Sequence, residues 1–176
     1  EDGALAKVFF YDIIRQFRLP AAISSVDAAN CYDSIAHAIA SLIFQAMGVP
    51  LEGIAAMLEA IQDMKYFLRT AYGESTSFAN SKIEVKYQGL CQGNGAAPAC
   101  WLMLSSVLMH CYKRQGFGSR ILSPISGAII DFLGEIYVDD TDLIITRPEF
   151  TTAEETQEGL KAAAWKWASG LNTTGG

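Results

Sequence analysis

The chain predicts an α+β fold, an antiparallel sheet with helices packed on one face, and two observations lead there. Apolar residues recur at helical spacing in five separate stretches, and the short runs between them are strand-like. The resulting order of strand, two helices, strand pair, helix, hairpin and helix is a split βαββαβ arrangement. With 176 residues and 51 % hydrophobic content, the chain is long and apolar enough for one domain with a real core.

Residues Ala4 to Phe17 place Leu5, Val8, Phe9, Ile13 and Phe17 near helical spacing, and Leu19-Pro20 stops that helix. Ala22 to Val26 reads as a short buried strand running into Asp27. A second helix is expected from Ser34, whose hydroxyl can cap free amides, to Gly48, and Pro50 opens a third with Leu51, Ile54, Leu58, Ile61 and Met64 on its apolar side. Phe67 to Tyr72 and Ile83 to Tyr87 read as paired strands around a loop from Gly73 to Ser81. A glycine-rich turn from Gly89 to Gly95 precedes a long apolar helix that has Pro98 in its first turn and ends near Arg114. Gly116 to Gly127 reads as a loop, Ala128 to Val138 as one strand, Asp142 to Thr146 as its return and Thr152 to Leu171 as the last helix.

The charge of −6 and the low pI exclude a dedicated basic nucleic-acid clamp, because phosphate contacts come mostly from Lys and Arg. The four cysteines, Cys31, Cys91, Cys100 and Cys111, form no CxxC pair and sit in apolar segments, which favours buried free thiols and an intracellular, reducing compartment. No secretory leader is visible, and Ala96 to Tyr112 is too short and too polar for a membrane span. His37 and His110 are too isolated for a metal site.

Tyr137-Val138-Asp139-Asp140 carries the chemistry. Adjacent carboxylates at the end of an apolar run have no folding rationale, and their repulsion asks for a divalent cation. Asp139-Asp140-Thr141 is the expected hairpin tip. If the strand ending at Asp27 lies beside this hairpin, three carboxylates converge, a donor set suited to Mg²⁺ and to phosphoryl or nucleotidyl transfer. Asp131 and Asp142 flank the hairpin and are set aside as solvated.

Three strings in order extend this reading. Asp27-Ala28-Ala29-Asn30-Cys31-Tyr32-Asp33, Gly89-Leu90-Cys91-Gln92-Gly93-Asn94-Gly95 and Tyr137-Val138-Asp139-Asp140 resemble motifs A, B and C of the reverse transcriptase palm, and the resemblance covers nearly the whole chain. It implies a polymerase palm with part of the fingers across residues 1–176, the remaining fingers and the thumb lying outside. It implies RNA-directed DNA synthesis, with an RNA template, a DNA primer and dNTPs as partners and Mg²⁺, or Mn²⁺ as its substitute, as cofactor. Asp27, Asp139 and Asp140 would be the catalytic carboxylates, with the Ala28 carbonyl as a further metal ligand. Tyr32 would be the aromatic gate against a 2′-hydroxyl, and Gln92 and Gly93 would line the incoming nucleotide. Cys91 departs from the family, where proline is frequent. The rivals are an RNA-dependent RNA polymerase and a catalytically inactive palm serving as a nucleic-acid-binding or assembly scaffold. Endonuclease or integrase domains of a parent protein are further implied partners.

Overall fold

The computed structural model describes residues 2–79, 88–123 and 125–175. In chain order the elements begin α1 (Asp2–Phe17), β1 (Ala21–Asp27), α2 (His37–Ala46), α3 (Leu51–Asp63), β2 (Tyr66–Thr70) and β3 (Gly73–Ala79). They continue α4 (Ala97–Arg114), β4 (Ser119–Leu122), β5 (Ile129–Phe132), β6 (Gly134–Tyr137), β7 (Asp140–Thr146) and α5 (Ala153–Thr174). Helices combined with small antiparallel sheets make this an α+β chain. Its contacts form two compact units, one built from the chain up to Asn30 together with Ser105–Thr174, the other from Cys31–Leu104 with Gly175.

The first unit is organised by a three-stranded antiparallel sheet of order β1-β7-β6. β7 is its centre, and both of its faces are covered. Side chains alternate along a strand, so Leu143 and Ile145 share one face and Ile144 takes the other. Leu143 and Ile145 pack with Ala163 and Trp167 of α5 and Tyr112 of α4, whereas Ile144 packs with Phe10 of α1 and Ile121 of β4. The expectation of helices on one face is therefore corrected: α4 and α5 lie on one side, α1 on the other. The run Leu143 to Thr146 is buried because it is sandwiched.

Of the face expected for α1, only Ile13 packs against the core. Leu5, Val8, Phe9 and Phe17 are exposed, and the helix docks instead through Phe10, with Tyr11, Ile13 and Ile14 packed alongside. Its sequence is apolar on several sides, so periodicity alone could not choose between them.

The stretch from Ala128 to Val138 is two strands. β5 pairs with β4, and β6 pairs with β7; the change of partner falls at Gly134, with φ +142°. A Cβ there would collide with the Asp142 carbonyl, so only glycine permits this approach. β4 lies within the segment expected to be loop. The hairpin tip also moves, because Tyr137 pairs with Asp140 and leaves Val138-Asp139 as a two-residue turn. Val138 has φ +58°, the left-handed conformation such tight turns demand.

α5 starts with a reciprocal cap: the Glu155 amide donates to Thr152 Oγ1 (3.2 Å), and Glu155 Oε2 accepts from the Thr152 amide (3.1 Å). These bonds, with those from Thr151, hold the Glu155 carboxyl below its ordinary range.

In the second unit Ile35, Ala40, Phe44, Ile54, Ile61, Leu90 and Trp101 are buried. α2 begins at His37 without a side-chain cap, not at Ser34. The reason is backbone competition: the Tyr32 and Ile35 carbonyls accept from the amides of Leu90 and Gly89, which keeps this segment out of a helix. β2 pairs with β3, so part of the expected Gly73 to Ser81 loop is strand. The expected strand from Ile83 to Tyr87 lies outside the described residues. All four cysteines are free, but Cys111 is exposed and Cys91 is half-buried, which corrects the expectation of burial for those two. Among the described residues no helix is long and apolar enough to cross a membrane.

Candidate carboxylate site

β1 is held by β7 along its whole length, and the register runs from Ala21 opposite Thr146 to Asp27 opposite Asp140. The ladder continues one step further, where the Ala28 amide donates to the Asp139 carbonyl at 3.0 Å. That bond makes Asp27 and Asp140 a non-hydrogen-bonded pair, the kind whose Cα atoms approach to about 4.5 Å and whose side chains lie closest. Both residues are exposed, as is Asp139 in the adjoining turn. Like charges directly opposite destabilise a sheet. No ion pair to a basic side chain relieves any of the three among the described residues.

The strand that ends at Asp27 does lie beside the hairpin strand β7. Asp27 and Asp140 face each other, and Asp139 is one residue away. The side chains as placed do not gather into one cluster: among the described residues no group of three or more His, Cys, Asp or Glu is arranged to hold a metal ion. The donors still suit Mg²⁺, which takes oxygen ligands and commonly only one or two carboxylates alongside substrate phosphates. An opposed, exposed and unneutralised pair, with the Ala28 backbone beside it, is a donor set of that kind.

The next row of the sheet is different. Ser25 pairs with Asp142, and Asp142 pairs on its other side with Glu135. Here Lys7 of α1 makes an ion pair with Asp142, and the Ser25 hydroxyl donates to the other carboxylate oxygen. Burial pushes the Asp142 carboxyl up, but the hydrogen bonds from Lys7 and Ser25 and the lysine charge outweigh it and hold the group below its usual range. The bond to Asp142 correspondingly raises Lys7. Glu135 reaches the start of α1, its Oε1 lying 2.5 Å from where a Cβ on Gly3 would stand. A cavity of about 610 Å³ opens between α1 and this face, lined by Lys7, Tyr11, Glu135, Tyr137, Asp140 and Asp142 among others. The sequence reading set Asp142 aside. Its i+2 relation to Asp140, which puts both on one face of a strand, was the signal that could have included it.

Tyr32, Gln92 and Gly93 belong to the second unit, and there they come together. Besides the bond from the Leu90 amide to the Tyr32 carbonyl (2.7 Å), the Gln92 amide donates to Asp33 Oδ1 (3.0 Å). Asp33 is therefore a clamp on the glycine-rich turn. Gly89, with φ +85°, passes so close to the Asp33 backbone that any Cβ would collide with it. His37 completes the turn by bonding the Gly89 carbonyl through Nε2 (2.5 Å), while Gln62 donates to its Nδ1 (2.8 Å). Both ring nitrogens are thereby occupied in structure, in keeping with the exclusion of His37 from metal binding. The Tyr32 ring meets Trp101 edge-on at 6.4 Å. Gln92 and Gly93 are exposed and line, with Met57, Met64, Tyr66 and Cys91, a cavity of about 520 Å³. Cys91 has φ +61°, which proline, locked near −65°, cannot adopt.

The chain matches no protein-family model and no curated protein sequence.

Proposed function

We propose that the chain carries the catalytic centre of an RNA-directed DNA polymerase, adding dNTPs to the 3′-hydroxyl of a DNA primer on an RNA template. The observation that carries this reading is the apposition of Asp27 and Asp140 at the ends of neighbouring strands, with Asp139 in the turn between β6 and β7. The first and third motif strings are far apart in sequence, and a nucleotidyl-transfer site needs their carboxylates together. Asp27, Asp139, Asp140 and the Ala28 carbonyl are the residues that would hold Mg²⁺. The chemistry supplied by the bound ion is activation of the attacking hydroxyl and neutralisation of charge on the leaving pyrophosphate. In the second unit, Tyr32 excludes a ribose 2′-hydroxyl, while Gln92 and Gly93 contact the incoming nucleotide through a turn that Asp33 and His37 hold in place.

Primer extension on an RNA template with Mg²⁺, with fingers and thumb segments of a parent polymerase supplied, tests the reading. Extension that falls to background in Asp139→Ala is expected; undiminished extension in that variant overturns it. Preference for ribonucleotides with Tyr32 intact would favour an RNA-dependent RNA polymerase. One observation favours a catalytically inactive palm serving as a nucleic-acid-binding or assembly scaffold, namely that the three carboxylates do not gather into one ligand group. Template binding without extension in the parent chain would decide for that scaffold.

A further inference from the structure

The face of the sheet that carries Asp140 presents two successive acidic pairs, Asp27 with Asp140 and Glu135 with Asp142. By backbone register they are alike though not identical: each sets two carboxylates opposite one another across an antiparallel ladder, Asp27 and Asp140 as a non-hydrogen-bonded pair and Glu135 and Asp142 as a hydrogen-bonded, wider one. Either pair offers hard oxygen donors to a divalent cation. Among the described residues only one of them has a basic side chain on it. Lys7 reaches down from α1 onto Asp142, whose second oxygen accepts from Ser25, so both oxygens of that carboxylate are engaged. Glu135 lies against the first turn of α1 at Gly3, one helical turn before Lys7, and one of its oxygens is buried without a protein partner. α1 itself is fixed by Phe10 stacking on Phe132 at 4.6 Å between ring centroids and packing on Ile144, so the ammonium is delivered by a rigid element.

We propose that Lys7 is a specificity-determining residue: by placing its own ammonium on the Glu135–Asp142 pair, it reserves divalent-cation binding for the row of Asp27 and Asp140. This rests on the metal-dependent reading of that row. Without Lys7, the second pair becomes a competing site in the 610 Å³ cavity that Asp140 also lines, two residues along β7 from the first. A cation bound there would sit off the reaction centre.

Mn²⁺ binding to the full chain, followed by the electron paramagnetic resonance signal of the free ion, counts sites without any turnover. Lys7→Met is expected to bind one more Mn²⁺ per chain than the parent. Lys7→Arg should keep the parent's number, and adding Asp142→Asn to Lys7→Met should restore it. Equal stoichiometry in the parent and Lys7→Met sinks this proposal; if circular dichroism finds that variant unfolded, Lys7→Gln is read in the same way. The Asp27→Asn/Asp140→Asn double variant separates the two ideas. Parent binding that survives in the double variant sinks the polymerase reading, and a parent that binds no Mn²⁺ sinks both.

Discussion

Two neighbouring rows of one sheet, built from the same strands, treat their carboxylates in opposite ways. Asp142 has Lys7, Ser25 and partial burial around it; Asp27 and Asp140 face each other in solvent with no basic partner among the described residues. Asp142 follows the logic of folding, in which a charge that leaves water is paired and hydrogen-bonded. The row of Asp27 and Asp140 ignores that logic, and such departures are the expected mark of a functional position. Acidity alone did not identify the site. What singles out the proposed site is the lack of a basic partner among the described residues, one row from a paired acid.

The comparison breaks most completely if the support beneath both rows is removed. Leu143 is fully buried between Asp142 and Ile144, and Leu143→Ala is expected to cost about 2–5 kcal/mol in chemical denaturation. A loss well under 1 kcal/mol would mean the β7 core is not what holds the rows. Gly134→Ala forces a Cβ into the Asp142 carbonyl and is expected to cost on the order of 1–3 kcal/mol, with hydrogen exchange accelerating first in β6. Uniform acceleration across the first unit would argue against a local effect at the β6 edge.

The paired row should then announce itself through pH. The Asp142 carboxyl is lowered by folding, so its contribution is complete above its unfolded value near 3.8 and is lost as pH falls through the folded value. In metal-free buffer, the melting temperature of the parent should fall more steeply below about pH 4 than that of Asp142→Asn. Parallel curves would remove the distinction between the rows. The smallest effect has the opposite sign: Asp140→Asn relieves repulsion and should stabilise the metal-free chain by roughly 0.2–1 kcal/mol. A destabilisation of that size would mean the pair is not a repulsive one.

Much of this architecture was legible. Apolar runs bounded by Pro20, Pro50 and Gly48 gave β1, α3 and the end of α2 within a few residues, since turn and breaker residues act locally. α4 and α5 were found because their helical patterns are long. What escaped depended on partners. β3 is polar and exposed along nearly all its length, so nothing in Gly73–Ala79 advertised a strand until β2 lay beside it. The division at Gly134 and the strand β4 follow from which ladder each segment joins, and a continuous apolar run does not encode that. At the site, Asp27, Asp139 and Asp140 were visible as charges without a folding role, and their ladder positions explain why. Lys7 was invisible, because α1 offered several apolar sides and its docking face combines Phe10 with a lysine and a glycine.

Val138 sits at the tip between the two carboxylate-bearing strands with φ +58°. A β-branched side chain tolerates that conformation poorly, at a cost of order 1–3 kcal/mol. The tip is consequently held in shape by its flanking ladder against its own preference. A saturation library at position 138, sorted for yield of folded protein, would rank residues by backbone freedom, with Gly and Asn leading and Ile trailing, whatever their hydrophobicity.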